Sequence, residues 1–349
     1  MKNYAVVFPE RHKSDIIEVP MPEVQDNHIL VSTNISMIST GTEMTGYTGE
    51  FPAGSVWDRI NKLPIYPGYN SVGTVIDVGK NIDKSWIGKR VAVPETHRKY
   101  YSSPIWNDMT VKGHVYKDSY QRCLEVPEWV SDEEAAFFAF PQIVMNGIRR
   151  SGLIWGEKVV IFGAGLLGQF AARFCALAGG LPVFVSDPSE FRLGLLPNDP
   201  AIIKINPTKE NVPEVIKAHC NGELADVAFE ITGRAEFIHG EIQALRRSGR
   251  LLVLSSTRDK VEFDFHDDCC YPSVQIIGSH CGSSAALPQV DWPWTCNEHV
   301  KTYFNMLKYK KIDINPLISK MLPYDRAPEL YKDLDENRGA YMGMFIDWR

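Results

Sequence analysis

Val159-Val160-Ile161-Phe162-Gly163-Ala164-Gly165-Leu166-Leu167-Gly168 decides the fold, because four apolar residues run into a glycine-rich turn and a helical pattern starts inside that turn. Gly163 permits a tight turn, Gly165 lets the backbone approach a pyrophosphate, and Gly168 brings helix close to strand, with phosphate charge meeting the helix N-terminus. Leu166, Leu167, Phe170, Ala171, Phe174, Cys175 and Ala178 then recur with a period of about 3.6, which predicts one buried helical stripe. The next apolar run, Val183-Phe184-Val185, ends in Ser186-Asp187, and Asp187 stands 24 positions after Gly163. An acid closing a second strand accepts hydrogen bonds from an adenosine ribose and repels a 2′-phosphate. The stretch therefore predicts a βαβ unit that takes NAD rather than NADP.

A chain of 349 residues exceeds the size at which one core keeps growing, so two domains are expected. With 37 basic against 43 acidic residues the formal charge is -6, which argues against nucleic acid or an anionic membrane as partner and for a small molecule. Residues 1–8 form too short an apolar stretch before Glu10, Arg11 and Lys13 for a signal peptide. The apolar, uncharged stretch 135–148 is broken by Pro141, Gln142 and Asn146 and falls short of a membrane span. Seven cysteines, an odd number without a secretory signal, read as reduced thiols in a cytoplasmic protein.

Up to about residue 125 the chain carries short alternating runs, at 4–8, 28–36, 71–78 and 90–93, punctuated by Pro, Gly and Asn, which predicts an irregular all-β domain. The texture changes at Ser131, where Asp132-Glu133-Glu134 make a helix start. Further strands are expected at 227–231, 250–254 and 274–277, a helix at 299–309 and a closing strand at 341–348 that rejoins the β domain. The domains expected are 1–145, then 146–284 for the nucleotide, then a return at 285–349.

In this order the chain resembles the medium-chain dehydrogenase/reductase superfamily along nearly its whole length. The likeness is carried by the β-rich start, Val126-Pro127 through Ala136, the glycine turn, Phe229-Glu230-Ile231-Thr232-Gly233-Arg234 and Ile276-Ile277-Gly278. It implies an α/β fold, a Rossmann doubly wound parallel sheet joined to a GroES-like irregular β-barrel catalytic domain. It also implies that Arg192 assists Asp187 at the ribose, that Thr232 and Ser255 border the cofactor, and that Ser279 and His280 lie near the nicotinamide. A homo-oligomer, dimer or tetramer, is common in such proteins.

One departure from the family pattern concerns metal. Zinc-using members present Cys-Gly-Thr-Asp-x-His and then Gly-His-Glu, whereas this chain reads Thr40-Gly41-Thr42-Glu43-Met44-Thr45 and then Gly68-Tyr69-Asn70. Thr40 replaces the ligand Cys, Tyr69 the ligand His, Asn70 the Glu and Thr45 the outer His. Hydroxyl and amide groups are poor zinc ligands, so no metal is expected. The four-cysteine structural site of many relatives is missing too, since Cys123 is the only cysteine before Cys175. The cluster of His266, Asp267, Asp268, Cys269, Cys270, His280 and Cys281 matches no familiar ligand spacing and reads as a polar loop. The phrase Ile38 to Glu43 with Pro67-Gly68-Tyr69 resembles a zinc-lacking branch that includes dehydrogenases of a bacteriochlorophyllide hydroxyethyl group and oxidoreductases of sugar pathways.

The resemblance implies NAD-dependent oxidation of a secondary alcohol, with side chains doing what zinc does elsewhere. Tyr69 is expected to donate a hydrogen bond to the substrate oxygen and to act as proton conduit, Thr42 to relay the proton, and Thr40 and Asn70 to shape the site or hydrogen-bond substrate. Glu43 is either the base or a carboxylate that holds backbone, and Lys99, His97 and His114 are alternative bases. Aromatic residues Trp57, Tyr66, Tyr100, Tyr101, Trp106, Trp292 and Trp294, interspersed with Asn107, Asp108, Asp291 and Thr295, suit a polyhydroxylated ring, either a sugar, a sugar derivative or a cyclitol. Alternatives left open are an NAD(P)H-dependent enone or quinone reductase, a tetrapyrrole side-chain dehydrogenase and a non-catalytic NAD-binding protein.

Overall fold

The computed structural model describes residues 1–349 except Lys112, Gly113 and Ala286, and the side chains at 108–120, Asp108 and His114 among them, lie outside the described residues. The chain divides into two compact units, Met1–Gln142 with Ser284–Arg349, and Ile143–Ser283.

The second unit is built on six strands in parallel pairings, ordered Ile202–Ile205, Val183–Ser186, Val159–Phe162, Ala225–Glu230, Leu245–Val253, Gln275–Gly278. Counted along the chain this is third, second, first, fourth, fifth, sixth, the doubly wound order whose reversal falls between the first and fourth strands. Val159, Val160, Ile161, Val183, Phe184 and Val185 are fully buried, which is why these strands read as unbroken apolar runs rather than alternating ones. The fifth strand begins at Leu245 rather than Arg250, because Leu245 pairs with Ala225 ahead of an irregularity in register.

The first unit is organised by the long strand His28–Ile38. It pairs antiparallel with Ser71–Val78, with Tyr100–Pro104 and with the closing strand Gly343–Asp347, which in turn runs parallel to Ile318–Pro323. Helix Asp132–Ala136 starts in a capping box between Ser131 and Glu134. Helix Cys296–Lys308 starts three residues before the expected His299, because the Thr295 side chain accepts from the Glu298 amide. Helix Ala327–Asn337 buries Ala327, Leu330, Tyr331 and Leu334, a stripe at i, i+3, i+4 and i+7. That stripe packs with Phe8, Tyr47, Met344, Ile346 and Trp348. Among the described residues no helix is long and apolar enough to cross a membrane.

One buried group works against the second unit. Glu241, on helix Ile238–Gln243, is 1% exposed, and neither carboxylate oxygen has a hydrogen-bond partner among the described residues. Burial above all, and the Glu230 carboxylate after it, push its pKa up to about 9 from an ordinary 4.5. Between those values the folded chain holds a proton that the unfolded chain has released, so stability falls as pH rises, by roughly 1.4 kcal/mol per pH unit. Glu241→Gln is expected to flatten that slope and to unfold at higher denaturant than the wild type at about pH 8, with the difference shrinking toward about pH 5. Urea unfolding across that range checks it, and parallel wild-type and variant curves would refute it.

Candidate functional site

In the second unit the glycine turn lies where the strand order reverses. Gly163 adopts φ +102°, a conformation that L side chains rarely take, and its amide donates to the Ser186 carbonyl at 2.8 Å. A Cβ on Gly168 would lie 1.9 Å from the Gly163 carbonyl oxygen, so helix and turn touch backbone to backbone. A Cβ on Gly165 would meet nothing within 4 Å, which leaves open space above the turn. Gly165 caps helix Leu166–Leu177 without a side-chain hydrogen bond, and the amides of Leu166, Leu167 and Gly168 at its first turn lack intrahelical acceptors. Open space, orphan amides and the positive end of a twelve-residue helix fit a pyrophosphate.

Asp187, 3% exposed, follows the second strand, and its Oδ2 accepts from the Ala164 amide and its Oδ1 from the Ser189 amide, both at 2.8 Å. Arg192 Nη1 lies 3.7 Å from Asp187 Oδ2. Each carboxylate oxygen has a second lone pair for a ribose hydroxyl, so the donor set fits a dinucleotide. Gln169, fully buried, donates to the Ala164 and Arg192 carbonyls and ties this turn to the Arg192 segment.

Thr232 and Ser255 share one partner. The fully buried Glu230 carboxylate accepts from Thr232 Oγ1 at 2.7 Å, the Gly233 amide at 2.8 Å, Thr257 Oγ1 at 3.0 Å and also Ser255 Oγ. Glu230 thus sets the loops after two strands, a role its place in the sequence run did not single out. Ser279 is 3% exposed with its hydroxyl unpartnered among the described residues, whereas His280 is exposed and accepts from the Gly282 amide at 3.1 Å. His266 pairs with Asp267 and His239 with Asp268.

In the first unit the long strand ends at Ile38 and delivers Ser39 and Thr40 to helix Thr42–Thr48, while Met37 bonds the Asn70 carbonyl across the sheet. Thr40 is half-buried and Thr42 exposed. Tyr69 is half-buried, and its hydroxyl donates to Ser39 Oγ at 2.6 Å. Asn70 is fully buried, and both ends of its amide lack a partner among the described residues. A buried amide left without partners carries a desolvation cost.

Glu43 is 5% exposed and holds three donors: the Ser39 amide at 2.8 Å, His97 Nε2 at 2.9 Å and Tyr331 Oη at 2.8 Å. His97 Nδ1 lies 2.7 Å from Ser36 Oγ, which also accepts from Trp348 Nε1. With the hydrogen on Nε2, His97 donates to Glu43 and its Nδ1 accepts from Ser36, so each ring nitrogen has a partner. Burial and the Glu43 carboxylate raise the Tyr331 phenol well above its ordinary value, so it stays a donor. Lys99, the other alternative base with a described side chain, donates to the Trp348 carbonyl, and burial lowers its pKa against the pull of Asp347.

Ser36, Tyr331 and Trp348 lie outside the sequence-based set, since partners 288 and 312 positions apart leave no local signal, and Ser39 stood in the phrase Ile38 to Glu43 without a role. Of the aromatic residues, Tyr101 belongs to the core of the β unit at 2% exposure, because its strand turns it inward. Tyr66, Trp106 and Trp292 are exposed, Trp57 and Tyr100 are half-buried, and Trp294 stacks on His299.

Residues 167–295 match the zinc-binding dehydrogenase family model. The chain is similar to L-threonine 3-dehydrogenase of Caldanaerobacter subterraneus, 24% identical over 78% of this chain and 82% of that protein. It is also similar to a probable D-xylulose reductase A of Aspergillus terreus, 21% identical over 97% of this chain and 96% of that one. The crystal structure of galactitol-1-phosphate dehydrogenase from Escherichia coli shares the fold, with a TM-score of 0.77 and 15% identity over 99% of this chain and all of that one.

The two glycines separate space for folding from space for a ligand. Gly165→Ala is expected to leave the unfolding midpoint unchanged while weakening dinucleotide binding at least about tenfold, because the added methyl enters only the open space. Gly168→Ala is expected to fail to fold or to lose several kcal/mol, roughly 3 or more, through the clash with Gly163. Thermal melts and calorimetric titration with dinucleotide distinguish the pair, and equal effects of both would contradict the assignment.

Proposed function

We infer that the chain belongs to the medium-chain dehydrogenase/reductase superfamily and is an oxidoreductase with a nicotinamide cofactor and a small-molecule substrate. From that premise we propose an NAD-dependent, zinc-independent alcohol dehydrogenase that oxidises a secondary hydroxyl of a sugar, sugar derivative or cyclitol to a ketone. The observation that carries this reading is Tyr69, standing where a metal-ligand His is expected, with its hydroxyl hydrogen given to Ser39 at 2.6 Å.

Thr40, Tyr69 and Asn70 offer hydroxyls and an amide where zinc needs thiolate, imidazole or carboxylate, so the alcohol must be held by hydrogen bonds instead. A nicotinamide, when bound, supplies a hydride acceptor. The protein's remaining work is to orient the alcohol and take up its proton. Tyr69, with its hydrogen committed to Ser39, acts toward a substrate hydroxyl as an acceptor rather than as the donor expected from the sequence. Asn70, with both amide ends unpartnered among the described residues, supplies a donor and an acceptor for the same or a neighbouring hydroxyl. Thr40 narrows the space beside them, and the exposed Thr42 relays the proton to solvent.

Asp187 supports NAD, because a 2′-phosphate would meet a buried carboxylate. Ser279 and His280 are assigned to the nicotinamide end, and Thr232 and Ser255 to the rim held by Glu230. The polyol-type names of similar proteins and the exposed Tyr66, Trp106 and Trp292 support a polyhydroxylated substrate. The terminal sheet strand Gln275–Gly278, with Gln275, Ile276 and Gly278 exposed, offers an edge for pairing with a second copy in a dimer or tetramer. Seven free cysteines support a cytoplasmic setting.

The test is absorbance of reduced cofactor when chelator-treated protein meets NAD and a panel of sugars, uronates, glycosides and cyclitols. Chelator-resistant turnover with NAD strongly preferred over NADP is expected. Turnover that chelator abolishes and zinc restores would sink the metal-free mechanism.

Asn70 yields a second expectation. Asn70→Leu replaces an unbonded buried amide by an apolar group of like size, so the ligand-free protein gains about 1–3 kcal/mol while KM rises. Stability and kinetics measured on one preparation check it, and an unchanged KM would remove Asn70 from the substrate site.

A further inference from the structure

We propose that Ser39, Glu43 and His97 are positioning residues that lock the Tyr69 hydroxyl in its acceptor sense. The inference rests on the reading of Tyr69 as the group that meets the substrate alcohol. It assigns Glu43 to an anchor rather than a base, and it gives a role to Ser39, which the sequence marked only as part of the phrase Ile38 to Glu43.

The argument is a closed circuit of contacts. Tyr69 donates through Oη to Ser39 Oγ at 2.6 Å. Ser39 is itself clasped at both backbone groups by one residue: its amide donates to Glu43 Oε1 at 2.8 Å, and its carbonyl accepts from the Glu43 amide at 3.1 Å. Glu43 passes through Oε2 to His97 Nε2 at 2.9 Å. His97 returns to the start, because its amide donates to the Pro67 carbonyl at 2.9 Å and its ring lies against Gly68. A Cβ on Gly68 would sit 2.7 Å from the His97 nitrogen and 2.8 Å from its ring Cγ, so only glycine, at φ +108°, lets the ring approach so closely.

Tyr69 is therefore held at the backbone before it by His97 and at its hydroxyl by Ser39, and a single buried carboxylate fixes both holders. Tyr331 supplies a third donor to that carboxylate, while Ser36 and Trp348 hold the far side of the imidazole. All three donors end on Glu43, which leaves the carboxylate engaged inside the unit rather than turned to substrate. Its effect on the reaction passes through Tyr69. A phenol freed from Ser39 can swing its hydrogen toward the substrate oxygen, and it then no longer presents that hydroxyl with a free lone pair.

Two readouts test this, one of which needs no substrate. In protein carrying 13C at the tyrosine ζ carbons, the Tyr69 signal is identified by its loss in Tyr69→Phe. Ser39→Ala and Glu43→Gln are each expected to move that signal and its titration midpoint, although Glu43 does not touch Tyr69. His97→Gln, whose amide can still donate to the carboxylate, should stay near wild type where His97→Ala does not. In turnover, Ser39→Ala and Glu43→Gln are expected to lower kcat about tenfold or more and to alter its pH profile with KM for NAD unchanged, and to add nothing once Tyr69 is Phe. Should Glu43→Gln fail to fold, Ser39→Ala and Tyr331→Phe carry the same comparison.

A Tyr69 signal that is identical in folded Glu43→Gln and wild type overturns the proposal. So do losses in kcat that multiply in the Tyr69→Phe background. Wild-type turnover by Tyr69→Phe would instead refute the proposed role of Tyr69 in catalysis, while the ζ-carbon signals would still decide whether the circuit sets its hydroxyl.

Discussion

A carboxylate taken out of water must be met by donors, and this chain uses that demand to gather distant segments. Glu43 draws together Ser39, His97 and Tyr331, which lie on a strand end, a loop and a late helix. Glu230 does the same for Thr232, Gly233, Ser255 and Thr257 after two strands of the parallel sheet. Asp187 joins Ala164 in the first turn to Ser189 beyond the second strand. In each case the acid is worth more to the fold as an assembler of loops than as a single ion pair, because removing any donor leaves a buried charge short of a partner.

The same rule gives meaning to the groups that break it. Glu241 is buried with no donor among the described residues, and burial pushes the pKa of its carboxyl up to about 9. Asn70 is buried with neither end of its amide bonded among the described residues, one residue from Tyr69. The first exception lies on a helix of the sheet unit and carries only a cost in stability; the second lies beside Tyr69, in the region proposed to meet substrate, where a polyhydroxylated molecule would supply the missing partners. On that proposal, Thr40, Tyr69 and Asn70 form a hydrogen-bonding set of the kind an alcohol needs, rather than an apolar filling of the space.

Much of the architecture was legible along the chain. The run from Val159 to Gly168 has local causes, an apolar parallel strand and glycines required by backbone contact, and the strands at 71–78 and 90–93 coincide with Ser71–Val78 and Arg90–Val93. Helix Ala327–Asn337 and strand Ile318–Pro323 were not read in advance, although the helix buries a regular stripe. The early start of helix Cys296–Lys308 had a signal, Thr295 followed by Glu298, that was passed over.

By itself the sequence determined what short-range chemistry can decide: the dinucleotide turn, the acid after the second strand, and the presence of hydroxyl and amide side chains at Thr40, Tyr69 and Asn70. Each depends on residue type within a few positions, so it is written in order along the chain. Only the tertiary structure decided what Glu43 does and which residues surround Tyr69. Ser39, His97, Tyr331 and Trp348 meet because the long strand His28–Ile38 brings separate strand ends to one place, and burial then obliges each polar group found there to take a partner.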